Sequence, residues 1–306
     1  MATVFKNIAL AGASGNVGKV LLPALLAANK FTVTVLRRAS SSSSSSSTFP
    51  DGVKVVDVDF SSVDSLAAAL AGQDVLVSTV GTAALKDEQK KLVDAAVAAG
   101  VKRVLPSEYG CDLHNELAAK LPVFAPKVEV ARYLEDKART TPLTYTFVYT
   151  GPFLDWGLQN NFIFRSAGSK PALYDGGNTV FSTSTLDAVA RAVVAVLSKP
   201  EETKNRAVRI QSVAISQARL LAIAKEVAPE RDWQPEVVKL DDVTRAADER
   251  LAKGLFDHET FTPYLLRAIN DERYGPRFET LDNELLGIKQ LTEEEVKAIV
   301  KEKLNN

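Results

Sequence analysis

A chain of 306 residues with 46% hydrophobic side chains is long enough to bury one large α/β domain, or a domain with a smaller companion. Its 37 basic and 38 acidic residues leave a net charge of −1, so neither nucleic acid nor an anionic membrane is an expected partner. One cysteine excludes an internal disulfide, and two histidines are too few for the common zinc sites, so no metal is expected.

Taken in order, the first apolar run, 4–11, passes into Gly12, Ala13, Ser14, Gly15, Asn16, Val17 and Gly18, and a helical pattern starts at Asn16. Strand, glycine turn and helix in that order predict a dinucleotide site. The glycines allow a tight turn, close approach to a pyrophosphate and close helix packing, and the helix N-terminus favours the phosphates. The second run, 31–36, ends at Arg37 and Arg38, where an NAD site usually carries an acidic residue for the ribose hydroxyls. The two arginines point to the 2′-phosphate of NADP. Eight serines, 40–47, follow at once and predict a loop, either an exposed insertion or a flap over that phosphate.

Further strands at 53–58, 75–79, 103–106 and 145–149 alternate with helices at 63–70, 86–99 and near 127–139. This alternation predicts the α/β class, a Rossmann doubly wound parallel sheet. Ligands bind beyond the carboxyl ends of such strands. The cofactor candidates are Gly12, Ser14, Gly15, Asn16, Val17 and Gly18, Arg37 and Arg38, Asp59 and Phe60, Thr79, Val80 and Gly81, Lys127, and Gly151, Pro152 and Phe153. Past Gly151 the alternation fades. Residues 1–152 are expected to form the NADP-binding domain, and 153–306 mainly a substrate-binding lobe in which elements near 179–212 return to the sheet. Later helices are predicted from Ser216, at 260–270 and at 292–303, the last with a Thr292 and Glu295 capping box. With no apolar run near the ~18 residues of a membrane span and no charged leader, a cytoplasmic monomer or homodimer is expected.

A reductase takes hydride from its cofactor and needs a group to supply the proton. Tyr133 and Lys137 match the Tyr-x-x-x-Lys string of short-chain dehydrogenases, but Tyr133 falls late in its predicted helix, away from the ligand edge. Lys127 stands at the helix entrance beside Pro126, and at about 100° per residue the two side chains are turned roughly 120° apart. Lys127 is the favoured proton donor or base, the alternative being a solvated first-turn lysine. Tyr109, Phe153, Trp156, Phe162 and Tyr264 are the candidate substrate contacts. The aromatic surface that Phe153, Trp156, Phe162 and Tyr264 offer suits an aromatic, enone-like or quinone-like small molecule.

The glycine turn at 12–18, Arg37, the box Pro106, Ser107, Glu108, Tyr109 and Gly110, the run 123–127 with Arg132 and Glu135, and the strand 145–148 together resemble the isoflavone reductase-like family. That family belongs to the NmrA-like, atypical short-chain dehydrogenases and includes the phenylcoumaran benzylic ether and pinoresinol–lariciresinol reductases. The resemblance implies that Lys127 replaces the usual tyrosine, that Arg37 holds the 2′-phosphate of NADPH, and that residues 150–153 flank the nicotinamide. It also implies hydride transfer to an activated double bond, a carbonyl or a benzylic ether. Three departures leave the substrate open: Tyr109 stands where the family has Phe, Cys111 follows the box, and the serine tract is foreign. Two other readings stay in play, an NADP(H)-sensing regulator without catalysis and a redox-neutral isomerase or dehydratase on the same fold.

Overall fold

The computed structural model describes residues 4–39, 49–50 and 52–304, so the serine tract lies outside the described residues. In chain order the strands are β1 Asn7–Ala11, β2 Thr32–Arg38, β3 Lys54–Val58, β4 Val75–Ser78, β5 Arg103–Leu105, β6 Thr144–Tyr149, β7 Ala172–Tyr174, β8 Val180–Thr183, β9 Arg206–Arg209, β10 Val213–Ser216 and β11 Glu236–Val238. The α-helices are α1 Asn16–Ala27, α2 Val63–Leu70, α3 Asp87–Ala98, α4 Glu116–Ala119, α5 Ala125–Thr140, α6 Leu154–Gln159, α7 Leu186–Ser198, α8 Gln217–Val227, α9 Leu240–Ala252, α10 His258–Asn270, α11 Asn283–Leu286 and α12 Glu293–Leu304.

Seven strands form one sheet in the order β3-β2-β1-β4-β5-β6-β9, with every pairing from β3 to β6 parallel. This is the doubly wound sheet that the alternation predicts. The strand order reverses beside β1, which puts a ligand crevice at the end of that strand. Continuous apolar runs such as Ile8 to Ala11 suit strands covered on both faces, and Ile8, Leu10, Leu21, Leu25, Leu66, Leu70 and Leu76 are fully buried. Local signals fix the helix starts. Ser62 accepts from the Ser65 amide ahead of α2, and Thr292 and Glu295 form the reciprocal capping box ahead of α12.

The chain does not divide once after residue 152. One compact unit comprises 1–109, 126–148 and 189–208, and the other 110–125, 149–188 and 209–306. Of the elements expected to return to the sheet, β9 does so beside β6, whereas β8 pairs antiparallel with β10. The Ser182 amide of β8 donates to the Pro276 carbonyl and its hydroxyl accepts from the Phe278 amide, so β8 is held by a later segment of its own unit. The second unit also has the parallel pair β7 and β11, and its core gathers Leu154, Phe164, Phe181, Leu220, Trp233 and Val300.

Candidate active site

Each glycine of the turn has its own reason. Gly12 lies at φ +83°, and a Cβ there would come within 2.6 Å of the Thr79 carbonyl at the end of β4. At Gly18 a Cβ would stand 2.2 Å from the Gly12 carbonyl oxygen, so the helix packs on the turn through bare backbone. Gly15 instead closes the turn by donating its amide to Gly12 at 3.0 Å. It precedes α1 without a side-chain cap, which leaves the first-turn amides, among them those of Asn16, Val17 and Gly18, for an anion. Thr79 supports the turn from β4, donating its hydroxyl to the Ala11 and Gly12 carbonyls, each at 2.9 Å.

In front of this turn is a cavity of about 280 Å³ whose walls bring together Gly12, Ser14, Arg37, Arg38, Phe60, Val80 and Gly81. Phe49 and Ala84 line it too and escaped the sequence reading. Phe49, an aromatic directly after a polar tract, was the available signal. Asp59 is absent from the lining. It is occupied in its own turn, accepting from the Ser61 amide at 2.8 Å and hydroxyl at 2.6 Å, and these bonds hold its carboxyl below the ordinary range.

Strand β2 runs two residues further than predicted, which makes Asp57 on β3 the direct cross-strand neighbour of Arg37. Arg37 donates Nε and Nη2 to the two oxygens of Asp57 at 2.6 and 2.9 Å, and the guanidinium holds that carboxyl below its usual range. Arg38 donates to Glu88 at 2.6 Å and lies 4.9 Å above the Phe60 ring. Both ion pairs are solvent-facing, the class of contact that contributes least and exchanges most readily for a stronger anion.

Lys127 is the third residue of α5, half-buried, and its ammonium donates to the backbone carbonyl of Glu108 in the loop after β5. Tyr133 points elsewhere: its hydroxyl donates to Asp94 on α3, and Lys137 reaches the same carboxylate at 2.8 Å while lying over the tyrosine ring. Gln89 ties the ends of β4 and β5, its side-chain oxygen accepting from the Ser78 hydroxyl at 2.9 Å and the Ser107 amide at 3.2 Å. Tyr109 is buried, and burial together with the charge of Glu108 pushes its ionisation well above the ordinary phenol range.

In the second unit, the Thr150 and Gly151 amides both donate to the Gly110 carbonyl at 3.0 Å. Gly151 lies at φ +63°, with the Ser182 carbonyl oxygen 1.9 Å from where a Cβ would stand. The Pro152 carbonyl accepts from Thr183 at 2.7 Å, and Phe153 bridges to Ser184. Trp156 and Phe162 are half-buried with ring centroids 6.1 Å apart, and form an aromatic pair. Tyr264 is buried on α10 and donates its hydroxyl to Asp248 of α9 at 2.6 Å. A cavity of about 540 Å³ in this unit is lined by Val180, Glu272 and 275–279, and by none of the predicted aromatic contacts.

Following the box, Asp112 accepts from Arg209 Nε at 2.6 Å and lies 3.1 Å from His114 Nδ1, and His114 packs edge-on against Tyr149. Among the described residues no three His, Cys, Asp or Glu side chains are grouped to hold a metal ion, and no helix is long and apolar enough to cross a membrane.

A family model described as the NmrA-like family matches residues 5–232. An Aspergillus flavus protein named oxidoreductase aprR is 36% identical over 302 residues, covering 96% of this chain and 98% of that one. An isoflavone reductase homologue of Arabidopsis thaliana is 26% identical over 83% of this chain and 82% of its own. The leucoanthocyanidin reductase–NADPH complex from Vitis vinifera matches 98% of this chain and all of its own, with a TM-score of 0.78 at 20% identity.

Proposed function

The chain belongs to the NmrA-like family, in its isoflavone reductase-like branch, and on that footing we propose that it is an NADPH-dependent oxidoreductase that reduces a small aromatic enone, quinone-like compound or benzylic ether. The observation that carries this reading is the cavity in which Arg37 and Arg38 face the glycine turn, with no acidic residue at the end of β2 to take the ribose hydroxyls. The residues fit the nucleotide: the uncapped first-turn amides after Gly15 for the pyrophosphate, the two arginines for the 2′-phosphate, and Phe60 as an apolar wall for the adenine. The oxidoreductase name of the Aspergillus relative and the NADPH of the Vitis complex support the same reading.

When bound, NADPH supplies a hydride. The chain's own task is the proton. Lys127, tethered through one N–H to the Glu108 carbonyl, keeps two N–H bonds to offer the substrate oxygen that becomes anionic, and the tether fixes where the ammonium stands.

The test is NADPH consumption against a panel of aromatic enones, quinones and benzylic ethers. Loss of NADPH absorbance in step with product is the expected result. Tight NADPH binding with no consumption across the panel favours a sensor, and turnover without NADPH loss favours a redox-neutral enzyme.

A further inference from the structure

Tyr109 lies in the loop between β5 and α4. It is 8% exposed, and its hydroxyl has no hydrogen-bond partner among the described residues. Burying a phenol hydroxyl unpaired carries a desolvation cost, and native structures rarely leave such a group unsatisfied. The Phe implied at this place by the family resemblance fills the same space without that cost. A phenol is protonated at neutral pH in any setting, and burial and the adjacent Glu108 push its ionisation higher still, so it is available as a donor.

The position of the loop indicates what it faces. In a doubly wound sheet of this strand order, one mononucleotide lies over the carboxyl ends of β1 to β3 and the other over those of β4 to β6. The arginines on β2 assign the 2′-phosphate end to the first half. The nicotinamide then falls to the second half, where Tyr109 adjoins Glu108, the residue whose carbonyl holds the Lys127 ammonium.

We propose that the Tyr109 hydroxyl donates a hydrogen bond to the carboxamide oxygen of the nicotinamide, making Tyr109 a cofactor-binding residue that orients the ring. The proposal rests on the NADPH reading above and reassigns a side chain first considered for the substrate.

Calorimetric titration of the full chain and of Tyr109→Phe with three ligands tests it. The ligands are NADP+, its thionicotinamide analogue, whose sulfur is a poor acceptor, and 2′-phospho-ADP-ribose, which lacks the nicotinamide. Tyr109→Phe is expected to bind NADP+ about three- to tenfold more weakly, the loss of one neutral hydrogen bond, and to bind phospho-ADP-ribose as the parent does. The parent is expected to prefer NADP+ over the thio analogue by a similar factor, and the variant to lose that preference. Equal NADP+ affinity of parent and variant overturns the proposal and returns the hydroxyl to a buried water or the substrate. An equal loss for both NADP+ and phospho-ADP-ribose also overturns it. Should the variant not fold, the parent decides alone, since equal binding of NADP+ and the thio analogue refutes the contact. If the parent binds neither NADP+ nor phospho-ADP-ribose, the NADPH reading itself has failed.

Discussion

Replacing Asp112 by Asn should weaken the fold in a way that depends on pH. Asp112 accepts from Arg209 Nε at 2.6 Å through one oxygen and from the His114 amide at 2.9 Å through the other. Burial works against its ionisation, but the bonds from His114 and Arg209 outweigh it and bring the carboxyl from an ordinary 3.8 down to about 2. A carboxyl held below its unfolded value adds stability above that value and loses it as pH falls through the folded one. The difference corresponds to about 2 kcal/mol at neutral pH, with about half of it gone near pH 3. In Asp112→Asn, an amide N–H would also face one of the donors that the carboxylate now accepts from. Urea unfolding of parent and variant at pH 7 and near pH 3 measures the gap, and contributions common to both chains cancel in the difference. A gap of about 2 kcal/mol at pH 7 that narrows by half near pH 3 is expected. A gap that stays constant across that range, or is absent at pH 7, would show that the Arg209 and His114 contacts do not hold this charge.

Arg37→Ala should abolish preference for NADPH over NADH, a loss of roughly tenfold or more on the charged hydrogen bonds involved, read by nucleotide fluorescence titration. An unchanged ratio would move the 2′-phosphate to Arg38. Lys127→Ala should lower kcat by about 100-fold or more while NADPH affinity stays within about twofold, the mark of a lost proton donor. Turnover retained in that variant removes Lys127 from the reaction. Arg103→Met addresses a buried cation whose guanidinium donates to Thr144 at 2.6 Å, Thr146 at 3.0 Å and the Pro200 carbonyl at 2.8 Å. Burial pushes Arg103 down to about 10, still protonated at neutral pH, and its removal should cost about 2–4 kcal/mol by leaving those acceptors unpaired. A change in melting temperature within error would mean that water replaces it.

Much of the fold was legible because its signals are local. The run into Gly12, the serine and threonine caps, and the alternation of apolar runs with helical patterns each fit within a few residues. The pairings that decide the site are long-range. Nothing near Arg37 says that β3 will set Asp57 directly opposite, and the predicted end of β2 at residue 36 left both arginines outside the strand that positions them. Tyr264 read as one more aromatic for a pocket, since its partner Asp248 sits 16 residues earlier on a separate helix. Lys127 could be placed at a helix entrance from Pro126 alone, whereas its acceptor, a backbone carbonyl, carries no sequence signature. Tyr133 and Lys137 show the reverse case, a recognisable string whose side chains instead meet Asp94.

The interleaving of the two units has a consequence for how the chain is made. Because 189–208 belongs to the first unit, that unit cannot close when the first 150 or so residues leave the ribosome. Until β9 arrives, β6 presents an open strand edge, and Arg103 lacks both the Thr203 hydroxyl and the Pro200 carbonyl. A fragment ending at 152 would therefore leave β6 with an unpaired edge and Arg103 short of two of its acceptors.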